Sequence, residues 1–207
     1  MPATRRPSRS DGDRSRGTIL EAAAALATVE GIDGLSLARL ATVTGMSKSG
    51  VFGLFGSKEE LQLAVVGHAR TVFVREVVEP ALTAKPGRSQ LLALCLGYLD
   101  HVERRDYPGG CFFASVAAEV GSRPGPVRDL VAAEHDAWIG LLAAQAHRAV
   151  ADGELPADCD PVRLSGELGV MLTGADIAYL LHDDPRIIDT VRAAVATRLA
   201  SPDTEPS

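Results

Sequence analysis

Hydrophobic residues recur along this chain at the three- and four-residue spacing that is typical of amphipathic helices. The first such stripe consists of Ile19, Ala22, Ala23, Leu26 and Ala27. It predicts a helix that starts either at the capping box Thr18–Glu21 or one turn earlier, near Arg14. The helix ends at Gly31, because glycine adopts the left-handed conformation found at helix C-caps. No segment shows the strict alternation of a β-strand, so we predict an all-α fold.

Two short helices and a longer one follow. Ser36 and Ser47 each stand at the N-cap position of a short helix, and the turn between the two helices contains Gly45. Ser57 opens a capping box, Ser-Lys-Glu-Glu, at the start of the longer helix. Two short helices joined by a tight turn with glycine are typical of a helix-turn-helix motif, here residues 36–55.

The rest of the chain predicts four or five further helices, which brings the total to about nine. They span about 88–105, 111–121, 126–152, 160–181 and 186–200, with glycine or proline between them. We divide the chain into a disordered basic arm (1–13), a three-helix helix-turn-helix domain (14–62), a larger helical domain (63–201) and a disordered tail (202–207).

The charge is unevenly distributed. The whole chain carries a formal net charge of −6, but residues 1–60 hold eight Lys/Arg against seven Asp/Glu, so this part is +1 and the remainder is −7. An acidic body with a basic arm suits a protein that binds a polyanion at one end only. An arginine-rich terminus can equally be a solvated tail, so charge alone leaves both interpretations open.

The cysteines and the apolar runs exclude several classes of protein. The three cysteines, Cys95, Cys111 and Cys159, form no Cys-x-x-Cys pair, so the sequence predicts no disulfide framework, no metal site and no cofactor. The longest apolar run, 91–99, has nine residues, whereas a membrane-spanning helix needs about 20. The arginine-rich start lacks the apolar segment of a secretory signal. We therefore expect a cytoplasmic protein with no membrane partner.

The second helix of the motif has one face suited to the major groove of DNA. Its pattern buries Val51 and Phe55 and leaves mostly small or polar groups on the opposite face. The helix N-termini at Ser47 and Ser57 favour phosphate. Taken singly, these serines are ordinary N-caps and the nearby lysines ordinary surface residues, but their combination favours DNA binding. The predicted DNA-contacting residues are Arg14, Arg16, Ser36, Arg39, Ser47, Lys48, Ser49, Gly50, Phe52, Gly53, Ser57 and Lys58.

This motif resembles the signature of the TetR family of transcriptional regulators. The similar residues are TVTGMSKSGVFGLFGSKEEL (42–61), preceded by GIDGLS (31–36), and the similarity covers about residues 14–62. The family's usual Tyr and His are replaced here by Phe52 and Leu54. In the family both tend to hydrogen-bond backbone phosphates, so we expect fewer phosphate contacts from this helix. Phe52 can instead pack on a thymine methyl group.

The resemblance implies a homodimer in which the last two helices pair with their symmetry mates as a four-helix bundle. Such a two-fold assembly places two recognition helices about 34–36 Å apart, as a palindromic operator requires. Glycines inside the predicted helix 160–181 agree with close approach between helices. An intrachain core is the alternative interpretation of this apolar stripe. The predicted interface residues are Leu164, Leu168, Leu172, Ala175, Tyr179, Ile188, Val191 and Val195.

The resemblance also implies a pocket for a small, largely apolar inducer, enclosed by the helices of the larger domain. Aromatic and methionine residues at helical spacing are often plain core, so that alternative stays open. Residues 107–111, Tyr-Pro-Gly-Gly-Cys, are interpreted as a hinge, and Cys111 as a small hydrophobe or, alternatively, an oxidant sensor. The predicted pocket residues are Tyr98, Cys111, Phe112, Phe113, Val116, His135, Trp138, Leu142, Met171 and Asp176, with Thr173 as a further polar contact.

The leading functional hypothesis is a ligand-responsive repressor that is not an enzyme. One alternative is an all-α scaffold with weak DNA affinity, suggested by Phe52 and Leu54. Another is a hydrolase using Cys111 and His135, although no nucleophile elbow, phosphate loop or His-Glu-x-x-His helix accompanies them. The operator, the regulated genes, the inducer and the choice between repression and activation are not encoded in any motif.

Overall fold

A computed structural model describes the backbone of residues 9–200 and the side chains from residue 14 onward. Within this part the chain forms nine helices and no strand, which confirms the predicted all-α fold. The helices are α1 (Arg9–Glu30), α2 (Leu37–Thr44), α3 (Lys48–Phe55), α4 (Lys58–Phe73, continued to Ala81), α5 (Arg88–Arg104), α6 (Phe112–Val120), α7 (Pro126–Ala151), α8 (Pro161–His182) and α9 (Pro185–Arg198).

The first helix is longer than the sequence predicted. It begins at Arg9, five residues before the expected boundary at Arg14. No proline lies between Arg9 and Arg16, so nothing interrupts the backbone hydrogen bonds there. The predicted disordered arm is therefore wrong for residues 9–13. Its first part, 1–8, and the predicted tail lie outside the described residues.

The three predicted serine N-caps are confirmed. The side-chain oxygens of Ser36, Ser47 and Ser57 each accept a hydrogen bond of 3.1 Å from the backbone N–H three residues later. Gly45 ends α2 with φ at +68°, the left-handed conformation expected of the turn residue. These caps fix the lengths of α2 and α3, and each is worth about 1 kcal/mol.

The buried side chains form two clusters that meet at α6. The first cluster joins α1 to α4 and includes Phe112, Val116 and Val120 of α6. The second joins α5, α7, α8 and α9. Phe113, on the other side of α6, packs against both clusters. Helix α6 therefore lies between the helix-turn-helix domain and the rest of the C-terminal domain.

Helix α4 changes its winding where it enters the C-terminal domain. The α-helical part ends at Phe73, a π-helical turn runs over Val74–Val78, and an α-helical turn continues over Glu79–Ala81. Gly97 of α5 lies against this turn, since a Cβ atom there would sit 3.4 Å from the Val77 carbonyl oxygen. A π turn adds one residue to a helical turn and often marks functional sites.

Helix α8 is apolar on both its inner and its outer side. By length and composition alone it resembles a membrane span, with a mean hydropathy of 1.2. Its inner side chains, such as Leu164 and Leu168, are completely buried in the second cluster. Its outer side exposes Val170 and Leu181 by 75% and 73%. The high hydropathy thus reflects a core helix with a second apolar face.

Candidate DNA interface and ligand cavity

Helix α3 presents a polar and glycine-rich face to solvent. Lys48, Ser49 and Gly53 are exposed, and Phe52 is 56% exposed. On the opposite side, Val51 and Phe55 are buried against α1 and α2. The predicted division of α3 into a buried and a free face is therefore what the structure shows.

Three of the predicted phosphate-binding cations are already engaged within the domain. Lys58 donates a hydrogen bond of 2.6 Å from Nζ to the Asp33 carbonyl oxygen. Arg39 pairs with Glu30 at 2.9 Å, and Arg16 lies over the Phe55 ring at 4.8 Å. Arg14 and Lys48 are exposed, and among residues 14–200 no acidic group pairs with Lys48. Lys48 is thus an exposed cation on α3 that no acidic group in the described part of the chain neutralises.

A further exposed residue of the helix-turn-helix was missed from the sequence. Val43, near the end of α2, is 47% exposed, and its neighbour Thr42 is exposed too. The sequence did contain a signal, because Val43 is apolar, lies off the inner face of α2 and is next to the turn of the motif. Together with Phe52 it adds exposed apolar surface to the helix-turn-helix.

Helix α6 is hydrogen-bonded to the turn that precedes the helix-turn-helix. Glu119 accepts hydrogen bonds from the backbone N–H groups of Ile32 and Asp33, at 2.6 and 3.0 Å. Arg123 also pairs with the Asp33 carboxylate. Gly31 has φ at +81°, and a Cβ atom there would lie 2.9 Å from a Glu119 oxygen. The α1–α2 turn is therefore held by a carboxylate of the C-terminal domain.

The predicted hinge 107–111 packs tightly against α1. The N–H of Gly109 donates to the Thr28 hydroxyl at 3.1 Å. A Cβ atom at Gly109 would lie 1.9 Å from the Thr28 carbonyl oxygen, so only glycine fits. This segment is a second connection between the two parts of the chain.

A cavity of about 440 Å³ lies between α4, α5, α6, α7 and α8. Four aromatic side chains meet in its wall, and Phe73 is their centre. Its ring lies edge-on to Trp138 at 5.2 Å, to Phe113 at 6.1 Å and to Tyr98 at 6.2 Å. Arg70 and Glu134, which form an ion pair of 3.1 Å, add charge to the lining. The cavity is within the size range of small-molecule sites, which are mostly apolar with a few polar groups.

Half of the predicted pocket residues line this cavity. They are Tyr98, Cys111, Phe113, His135 and Trp138, and Thr173 joins them. The other five do not, and we correct the prediction for them. Phe112 and Val116 point into the first core cluster, while Leu142 and Met171 pack in the second. Asp176 is buried and accepts a hydrogen bond of 3.1 Å from the backbone N–H of Cys111.

The remaining lining was missed because much of it belongs to α4 and α7. Phe73, Val74 and Val78 face the cavity from the junction and the π turn of α4, which no regular helical periodicity predicts. The rest of the missed lining is Arg70, Ala114, Ala117, Ala118, Val131, Glu134, Ala137, Ile139, Leu141, Gly169 and Ile177.

Burial controls the ionisation of the polar groups next to the cavity. It raises the pKa of the Cys111 thiol, and the neighbouring Asp176 raises it further. Burial also raises the pKa of Asp176, and the hydrogen bond from the Cys111 N–H opposes that shift only in part. A reactive cysteine requires a lowered pKa, so this thiol has the character of a buried hydrophobic group.

Two family models match the chain. The model of the bacterial regulatory proteins of the tetR family matches residues 19–65, and that of a tetracyclin repressor-like C-terminal domain matches residues 87–195. The chain belongs to the TetR family. Regulators of this family bind operator DNA and respond to ligands.

Solved TetR-family structures share the fold over nearly the whole chain. A TetR regulator from Chloroflexus aurantiacus is 25% identical with a TM-score of 0.83, over 91% of this chain and 95% of that one. A cysteine-substituted variant of CifR, bound to 26-bp operator DNA, is 25% identical with a TM-score of 0.75, covering 97% and 100%. AibR, in complex with isovaleryl coenzyme A and operator DNA, is 20% identical with a TM-score of 0.71, covering 90% and 99%. A search of curated proteins gave no match.

The predicted dimer interface of this TetR-family chain requires correction. Six of its residues (Leu164, Leu168, Leu172, Ala175, Ile188 and Val195) are at most 2% exposed, Tyr179 is 8% exposed, and Val191 is half-buried against the same cluster. They are the intrachain core, the alternative left open by the sequence. A core stripe and an interface stripe have the same helical spacing, so periodicity cannot separate them.

A different stripe of α8 is apolar and free. Val162, Val170, Leu180 and Leu181 are between 40% and 75% exposed, and so is Ile177, which also lines the cavity. Gly166 and Gly174 lie among them, and a Cβ atom at either would meet no atom within 4 Å in the described part of the chain. Glycines that no intrachain neighbour requires, beside exposed apolar side chains, fit the close approach of another helix.

Proposed function

We propose that this chain is a dimeric repressor that binds a palindromic operator through α3 and leaves it when a small apolar ligand occupies the cavity. The observation that carries the DNA-binding role is the free face of α3, with Lys48, Ser49 and Gly53 exposed while Val51 and Phe55 hold the helix in place. A helix with small side chains on its free face can enter the major groove.

The outer stripe of α8 supports the dimer. TetR-family regulators assemble as dimers, and this stripe offers an apolar, glycine-containing surface for the same helix of a second copy. A two-fold axis through this contact presents the same surface from both copies. A palindromic site requires that the same axis bring two copies of α3 to one face of the assembly.

Helix α6 supports a route from ligand to DNA. Phe113 and Ala117 of α6 line the cavity, whereas Glu119 holds the α1–α2 turn. A ligand that shifts α6 changes the position of that turn, and with it α3. The ligand releases DNA only if it binds the arrangement that cannot bind DNA more tightly than the arrangement that can. The extent of release therefore reflects the difference between these two ligand affinities.

The cavity favours a small, largely apolar ligand with one polar or charged group. Its aromatic wall suits an apolar body, and the Arg70–Glu134 pair offers partners for a polar end. A regulator that binds chromosomal DNA acts in the cytoplasm, where we place this protein.

The alternatives have less support. A hydrolase would need a reactive Cys111, whereas burial raises the pKa of that thiol. A scaffold without a DNA role does not require the exposed lysine and glycine on α3. We therefore propose that the protein is not an enzyme.

Selection of bound DNA from a random pool tests the proposal. We expect a palindrome whose half-sites are separated by one or more helical turns, because two copies of α3 bind symmetrically. Lys48→Ala should weaken binding to the selected site. Failure to enrich any sequence, or enrichment of a single half-site by a monomer, would contradict the proposal.

A further inference from the structure

A cluster of one histidine and two carboxylates lies next to Phe73, whose ring is edge-on to the histidine ring at 5.9 Å. Glu76 comes from the π turn of α4, His101 from the last turn of α5, and Asp106 from the start of the α5–α6 connection. One nitrogen or oxygen atom from each residue lies within 4.8 Å of the other two. No sequence pattern joins these positions, and only the fold brings them together.

His101 is buried and one of its ring nitrogens has no partner. Its side chain is 5% exposed, and Nδ1 makes no hydrogen bond with any residue in the described part of the chain. A buried polar atom without a partner loses its hydration and gains nothing in return. Nδ1 faces Glu76 Oε2 at 3.4 Å and Asp106 Oδ2 at 3.8 Å. The unpaired atom is therefore aimed at two carboxylate oxygens.

The distances fit a shared cation better than a shared proton. A charge-assisted N–H···O bond measures about 2.7–2.9 Å, which is shorter than either separation. Zinc binds nitrogen and oxygen ligands at about 2.0–2.2 Å, so two ligands of a tetrahedral ion lie about 3.3–3.6 Å apart. The separations of 3.4 and 3.8 Å are close to that edge length. Small side-chain movements would bring both separations to that length.

We propose that Glu76, His101 and Asp106 form a binding site for a divalent transition-metal ion of the zinc class. One imidazole nitrogen and two carboxylate oxygens suit zinc and its first-row neighbours. Magnesium prefers oxygen ligands alone and binds such a set weakly. Water would fill the remaining coordination position.

Two arginines contact the carboxylates of this site. A bound ion would displace one of them and leave the other in place. Arg104 contacts Glu76 Oε2 at 3.3 Å and Asp106 Oδ2 at 3.1 Å, so it occupies the place of a cation between them. It is 44% exposed and can swing into solvent. Arg75 instead donates to the other oxygen of Glu76, Oε1, at 2.7 Å. It holds that carboxylate with Oε2 towards His101, as outer partners of metal ligands do.

Zinc titration of the full-length, tag-free protein tests the site. Calorimetry should give one saturable Zn²⁺ per chain, and Co²⁺ should produce the visible absorption of a low-coordinate site. Glu76→Gln, His101→Gln and Asp106→Asn should each weaken zinc binding by about tenfold or more, since even outer-partner substitutions cost about 10–100-fold. Circular dichroism establishes that each variant is folded, and Glu76→Gln keeps an oxygen for Arg75.

Two controls separate this site from adventitious zinc. His147 is an exposed histidine, and Cys159 a half-buried cysteine. His147→Asn and Cys159→Ser should leave the zinc affinity unchanged. Absence of saturable binding would overturn the proposal. So would binding that Cys159→Ser removes, or binding that survives in folded Glu76→Gln and Asp106→Asn proteins. None of these outcomes depends on DNA binding.

Discussion

The substitution Val170→Asp tests which side of α8 forms the dimer interface. Val170 is 75% exposed in the protomer, so a charge there leaves the fold of one chain intact. Burying a valine side chain contributes about 1.5–3 kcal/mol. Because about three quarters of this side chain is still exposed in the protomer, about three quarters of that energy can stabilise the dimer. In a two-fold dimer the loss occurs twice, which gives about 2–4 kcal/mol before the cost of burying two carboxylates. The dimer dissociation constant should therefore rise by about 30-fold to 1,000-fold or more.

Sedimentation velocity over a concentration series measures this shift, with thermal unfolding recorded in parallel. Val29→Asp is a matched control, because Val29 is 64% exposed but belongs to α1 and not to the exposed stripe of α8. Leu168→Ala should instead affect the folding of the single chain. Leu168 is fully buried in the protomer, so its truncation should remove about 2–5 kcal/mol of folding stability.

The two outcomes are distinguishable. If Val170→Asp stays dimeric with an unchanged dissociation constant, the outer stripe is not the interface. If Leu168→Ala yields a monomer of undiminished thermal stability, the original interpretation of the sequence is right and the core assignment is wrong.

The remaining predictions concern the DNA face, the α6 contact, the cavity and one buried carboxylate. Lys48→Ala should reduce the slope of log K against log salt by about 1.8, because each of two subunits loses one phosphate contact; an unchanged slope would exclude that contact. Glu119→Ala should lower the free energy of unfolding in urea by about 1–3 kcal/mol, since two backbone N–H groups lose their acceptor; an unaltered midpoint would argue against the contact. Ala114→Leu should fill part of the cavity and abolish the inducer response in gel shifts while operator affinity is kept; a normal response would place the ligand elsewhere. Burial raises the folded-state pKa of Asp176 above its ordinary 3.8, so the folded chain holds this proton more tightly and stability falls as pH rises from 3.8 through the raised pKa. Asp176→Asn keeps an oxygen for the Cys111 N–H, and its stability should lack that decline in chemical denaturation at several pH values; a decline equal to that of the natural chain would refute the assignment.

Local features of the fold were predictable from the sequence because they depend on neighbouring residues. Ser36, Ser47 and Ser57 act within three residues of themselves, so each helix start could be placed correctly. The buried pair Val51 and Phe55 follows from helical spacing in the same way. The TetR-family resemblance rested on this local segment, and the family models confirm it.

Features that depend on the meeting of distant segments were not predictable. Phe112 and Phe113 are adjacent aromatics, and only the packing of α6 between two clusters sends one into the core and the other to the cavity. Leu168 and Val170 are both apolar residues of α8, and only the neighbouring helices decide which one is buried. The engagement of Lys58 by the Asp33 carbonyl was likewise invisible, because a turn formed earlier in the chain supplies the acceptor.

The π turn at Val74–Val78 has a consequence for how the DNA-binding domain is oriented. Helix α4 starts at Lys58, shortly after the end of α3, and continues through this turn into the C-terminal domain. Each residue of an α-helix advances the chain by about 100° around the axis. If the same residues were wound as a regular α-helix, everything before the turn would be rotated about the helix axis by a comparable angle. The orientation of α3 relative to the C-terminal domain thus depends partly on the winding of a turn about 20 positions further along the chain.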